Sequence, residues 1–197
     1  MRKRRHEPAR GFEDAGMSAP NAADVLAFWR QAGEDKWFEK DDAFDRAIRD
    51  RFLATYEAAA NGQLSDWEKT PDGALALIIV LDQFPRNLFR NDPRAFETDP
   101  AALAIAARAL TSGYDRKIEH ELVPFLYMPF MHSENIADQR RCVDLFGRYG
   151  NQNNLKFAEI HRDIIERFGR FPHRNTLLGR DTTPEEQAFL AQGGFAG

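Results

Sequence analysis

The sequence predicts an all-α protein, and three observations lead there. Apolar residues recur every three or four positions along most of the chain. Residues that start and stop helices bracket those stretches, and no short run alternates apolar and polar in the manner of a half-buried strand. Residues 21–30 make a first helix, with Asn21 or Asp24 as its cap, Val25, Leu26, Phe28 and Trp29 as its apolar face and Gly33 as its stop. Asp41 or Asp42 opens a long helix in which Phe44, Ile48, Phe52, Thr55 and Ala59 share a face until Asn61-Gly62 ends it. Pro71 leads into residues 73–84, apolar all round as in a helix packed on every side, and Pro85 is expected to end it. Asn91-Asp92-Pro93 form a turn, and Pro100 starts a helix faced by Leu103, Ala106, Ala107 and Leu110 and closed by Gly113. Residues 122–131 contain Pro124 and Pro129 and read as kinked or loop-like. Two helices follow, near 134–149 and 153–168, divided by Gly150, and a short one starts at Pro184 behind Thr182 or Thr183. The total is about eight to ten helices, and the short connections favour stacked antiparallel neighbours.

Composition narrows the function classes. The 197 residues suit one domain, and 43% hydrophobic with 29% charged residues excludes a disordered or fibrous chain. A formal charge of -4 lacks the basic excess that binding to a phosphate backbone requires, so nucleic acid is not an expected partner. A single cysteine, Cys142, excludes a disulfide scaffold and a Cys-based zinc site and fits the reducing cytoplasm. Residues 1–16 carry five basic and three acidic side chains without apolar periodicity. They read as a disordered leader or an extended start ahead of Met17, with residues 17–197 as a single helical domain. No secretory signal is expected, and the longest apolar runs, 74–81 and 122–131, fall short of the roughly 17 residues of a membrane span.

Chemistry-bearing residues gather in a few segments. Phe84-Pro85-Arg86-Asn87 is echoed by Phe171-Pro172-His173-Arg174-Asn175, each read as an Arg-Asn pair just past a helix end. A guanidinium fork beside an amide suits bidentate capture of a carboxylate or phosphate, and it equally suits pairing with orphaned helix-end carbonyls. Arg167, Arg170, Arg174 and Arg180 with His173 concentrate positive charge in an acidic chain. In His132-Ser133-Glu134, Ser133 reads as a helix cap, while His132 and Glu134 are candidates for acid–base work; their spacing is not that of a metal-binding helix, and no metal is expected. His161 shares a helical face with Phe157, Ile164 and Phe168, the position of a core histidine, and Cys142 reads as a buried inert thiol. No nucleotide-binding or nucleophile-elbow motif is present, and no cofactor is expected.

The strings Leu81-Asp82-Gln83-Phe84-Pro85-Arg86-Asn87, Tyr127-Met128-Pro129-Phe130-Met131-His132-Ser133-Glu134, His161-Arg162-Asp163-Ile164-Ile165 and Phe168-Gly169-Arg170-Phe171-Pro172-His173-Arg174-Asn175, followed by Leu178-Gly179-Arg180, closely resemble a mainly bacterial family, domain of unknown function 924. The likeness runs from about Asp24 to Leu190. It implies a tetratricopeptide-like right-handed superhelix of stacked helices and carries no established activity, so no catalytic residue transfers. Three readings follow. One is a binding module whose groove takes a peptide or protein. The second is an enzyme or receptor for a small anionic ligand held by Arg86, Asn87, His132, Glu134, His161, Arg170, His173, Arg174 and Asn175. In the third, the same groups only tie helix ends together.

Overall fold

Side-chain caps fix the helix starts in the computed structural model, which describes residues 19–195. Helix α1 (Ala22–Ala32) opens with a capping box: Asn21 Oδ1 accepts the Ala23 and Asp24 N–H groups at 2.9 and 3.1 Å, and Asp24 accepts from the Asn21 N–H at 2.9 Å. After the single turn α2 (Glu34–Trp37), Asp41 caps α3 (Asp42–Ala60). Thr70 caps α4 (Pro71–Ile78), whose residues from Gly73 onward are buried on every side as the apolar run predicts. Packed against α1, α6 (Asp99–Thr111) and α7 (Val123–Met131), α4 is the central helix. Gly73 is obligatory there, because a Cβ would stand 2.1 Å from the Trp67 carbonyl oxygen.

Pro85 does not end the helix as the sequence suggests. Instead the chain widens into a π-turn at Ile79–Gln83, with the Phe84 N–H bonding to the Ile79 carbonyl, and runs on as α5 (Phe84–Leu88). The wider turn accommodates a residue with no N–H to donate. Carbonyls left over find side chains: Leu81 O accepts from Thr98 Oγ1 at 2.6 Å, and Asp82 O accepts from Arg86. The Arg86-Asn87 pair therefore lies within α5, not past a helix end. The segment expected to be kinked or loop-like is the helix α7, wholly buried: Pro124 occupies its first turn, where no N–H is needed, and Pro129 lies only two residues from its end.

Asn135, not Ser133, caps α8 (Ile136–Tyr149), accepting from the Ala137 N–H at 2.8 Å. Gly150, at φ 88°, lets the chain double back into α9 (Gln152–Phe168), so the two form a hairpin. Finally α10 (Pro184–Ala191) starts with a second capping box, Thr183 with Glu186. Among the described residues there is no strand, and the fold is all-α. The leader assigned to residues 1–16 lies outside the described residues. No described helix is long and apolar enough to cross a membrane.

Aromatic side chains fill the core. Trp29, Phe52, Phe84 and Phe125 are buried, with the Phe84 ring 5.8 Å from Trp29 and 5.1 Å from Phe52, and Phe125 meeting Trp29 edge-on at 5.3 Å. A smaller cluster, Ile164, Ile165 and Phe171 with Phe168, Phe189 and Phe195, docks the segment after α10 on α9. Phe157 departs from its predicted inward face and stays 42% exposed. A Gly73→Ala variant should lose about 1–3 kcal/mol of stability, because the new methyl forces the Trp67 turn off α4; equilibrium urea unfolding measures this.

Candidate functional site

The π-turn places Asp82, completely buried, where three other elements meet. Its Oδ2 accepts from Gln83 Nε2 at 2.6 Å, and its Oδ1 lies 2.8 Å from His132 Nδ1 and 3.6 Å from Arg86 Nη1. Burial by itself would favour the neutral acid, but the His132 and Arg86 charges and the hydrogen bonds from His132 and Gln83 outweigh it. The carboxyl is held below the usual range and is ionised, so His132 Nδ1 carries the proton and donates it. His132 terminates α7 and lines an open cleft of about 760 Å³ together with Phe96, Asp99, Glu134, Arg174 and Arg180. Its Nε2 has no hydrogen-bond partner among the described residues and is not sealed from solvent.

Arg86 spans the junction behind the cleft, making a fork-to-fork pair with Asp99 at 3.0 and 3.2 Å. Asp99 also receives Arg174 Nη1 at 3.4 Å, and the same nitrogen donates to the His132 carbonyl at 3.1 Å. The Arg174 guanidinium lies 4.5 Å from the ring centres of both Phe96 and Phe171, and the residue is only 7% exposed. Burial, reinforced by the Arg86 charge and opposed by Asp99, pulls it down to about 10, which leaves it a cation at neutral pH. Its Nε is buried without a partner, and its Nη2 makes no hydrogen bond among the described residues.

The remaining candidates divide sharply. Glu134 stays at the cleft but is clamped by Arg180 through two bonds of 2.8 Å and by the Phe171 N–H at 2.9 Å; although burial works against it, these keep its carboxyl ionised and lowered. Arg170 leaves the cleft: it forks onto the buried Glu186 at 2.6 and 2.9 Å, which also receives Asn175 Nδ2 at 3.3 Å. Asn87 donates to Asp45 at 2.8 Å on α3. His161 and His173 lie beneath the segment after α10, their rings 4.4 and 5.5 Å from Phe195, and His161 Nδ1–H donates to the Phe157 carbonyl at 2.7 Å. The basic cluster is thus not an open positive surface, since Arg167, Arg170, Arg174 and Arg180 each reach a carboxylate: Glu185, Glu186, Asp99 and Glu134.

Two central residues escaped the sequence reading. Asp82 was legible as the one acid within an apolar helical run, a position that burial forbids unless partners are supplied. Asp99 carried no comparable mark, standing where first-turn acids are common.

The fold and the cleft together define an all-helical protein whose paired charges converge on one side of a central helix. The chain matches the model of a family described as a bacterial protein of unknown function, DUF924, over residues 25–194, and it belongs to that family. It is similar to the solved structure of ATU0120, a protein of unknown function from Agrobacterium tumefaciens, with 49% identity over 87% of this chain and 97% of that one and a TM-score of 0.85. No curated protein matches it significantly.

Removing the guanidinium of Arg86 leaves the buried Asp82 and the partly buried Asp99 short of a partner, so Arg86→Ala should cost about 3–5 kcal/mol in urea unfolding. The histidines set the acid response. Burial pushes His161 down to about 3 and His173 to about 4, so both stay neutral in the folded chain while the unfolded chain protonates them near 6.5. Their contribution is complete above that value and is lost as pH falls from it toward 4 and then 3. Unfolding free energy should fall by up to about 2 kcal/mol per histidine between about pH 7 and pH 5. His161→Phe should flatten that slope.

Proposed function

We propose that the cleft binds a small compound carrying a carboxylate or phosphate group, with Arg174 as the principal contact. The observation that carries this reading is a buried guanidinium with one orphaned N–H and an unpartnered Nη2 beside an open cleft. A buried donor without a partner costs about 1–3 kcal/mol, and an oxyanion in the cleft is the group that relieves it. The volume lies within the range of small-ligand sites, and the wall mixes apolar Phe96, Leu103 and Leu178 with a few converging charges. Arg86, Arg174 and Arg180 face Asp82, Asp99 and Glu134, so the fixed charges around the cleft balance.

Of the residues first nominated, this reading keeps Arg174 and His132 at the ligand and assigns Arg86, Glu134, Asn87, Arg170 and Asn175 to holding the scaffold. The alternative of a module for a peptide or protein draws on the stacked helices alone, and the tetratricopeptide-like superhelix belongs to that alternative. A thermal-shift screen of carboxylates and phosphate esters tests the proposal. A ligand at 100 times its Kd stabilises by about 2.7 kcal/mol, and Arg174→Lys, which keeps the charge but loses the fork, should abolish most of that ligand-induced shift. A screen in which no anion raises the melting temperature would sink it.

A further inference from the structure

We propose that the Asp82–His132 pair is a proton-transfer centre, in which His132 Nε2 removes a proton from C3, the carbon next to the oxo group, of a bound 2-oxo acid. The inference rests on the anion-binding reading and adds a reaction to it. Its ground is the geometry of three groups. Asp82, fully buried, fixes the His132 Nδ1–H at 2.8 Å, which leaves the lone pair on Nε2, the nitrogen that solvent reaches. Gln83 holds the other carboxylate oxygen at 2.6 Å, so the carboxylate cannot turn away. Arg174 bonds to the His132 carbonyl at 3.1 Å, which sets its guanidinium beside the imidazole at the same cleft.

Such a dyad serves either nucleophilic or proton-transfer chemistry, and the neighbouring hydroxyl decides between them. Ser133 Oγ donates to Asp138 at 2.8 Å and accepts the Asn135 N–H at 3.2 Å, so it is committed to the start of α8. Cys142 is buried, and burial drives its thiol far up, away from the thiolate. With no activated side-chain nucleophile beside His132 among the described residues, proton transfer is the chemistry the arrangement supports. In the step, the C–H bond breaks and its proton forms the Nε2–H bond. The electron pair delocalises onto the oxo group, giving an enolate whose charge the Arg174 cation faces. Asp82 balances the imidazolium, and return of the proton regenerates the base, so no oxidant, reductant or further reactant is consumed. His132 is the catalytic residue and Asp82 a positioning residue.

The test is hydrogen–deuterium exchange at C3 of pyruvate, 2-oxobutyrate and 2-oxoglutarate in D2O, followed by proton NMR, with the thermal shift of each acid measured alongside. Wild-type protein should speed washout at least about tenfold over buffer. His132→Gln, whose amide can still donate to Asp82, should abolish the acceleration even at saturating acid. Asp82→Asn should lower kcat with little change in KM. Because Asp82→Asn can fail to fold, nitrogen-15 NMR of the wild type gives a second measure: Nε2 should be the unprotonated nitrogen, and the opposite tautomer overturns the proposal. Acids that bind without accelerated exchange overturn this inference alone. If none of them binds while other anions do, this inference falls and the anion site stands; if no anion binds, both fall.

Discussion

A carboxylate sealed inside the protein is the constraint around which everything else is arranged. Asp82 has no access to water, and an isolated charge there would be untenable, so the structure must bring compensating donors to it. Those donors come from three places in the chain: Gln83 beside it, Arg86 one turn on, and His132 from the end of α7. Once Arg86 is committed, Asp99 follows as its second partner, and Arg174 follows Asp99. The cleft lies where this chain of pairings reaches the surface.

Backbone geometry makes the arrangement possible. A regular α-helix through residues 79–88 would meet Pro85 without the hydrogen bond it needs. The π-turn spreads the carbonyls so that Thr98 and Arg86 can satisfy them, which fastens the start of α6 and the α5 side chain to the same turn. Aromatic packing then holds the surrounding helices at fixed distances. Phe84 follows the π-turn directly and sits against Trp29 and Phe52, so a shift of the charged turn would disturb the largest side chains of the core.

The site was legible only in fragments. Arg174, His132 and Glu134 were nominated from their segments, and they do meet at one cleft. His161 fitted its reading as a core histidine, although Phe157, placed on the same face by periodicity, stays exposed. Arg170, Asn175 and Asn87 looked equivalent to Arg174 in sequence. They differ because each finds a carboxylate, Glu186 or Asp45, supplied from a distant stretch, and residue type and spacing hold no record of that. The apparent basic patch dissolves for the same reason: charge summed along a segment ignores the acids that another helix delivers.

Helix content, most caps and the central position of residues 73–84 were set by local chemistry, because periodicity, capping residues and glycine stops act within a few residues of where they stand. The two prolines of α7 and Pro85 misled that local view: Pro124 stands in a first turn, α7 is buried throughout, and the π-turn ahead of α5 accommodates Pro85. Which arginine holds a structural carboxylate, and which leaves a donor turned toward open space, was decided by the tertiary structure alone. Ion pairing depends on distances between segments far apart in the chain, and only the folded packing creates those distances.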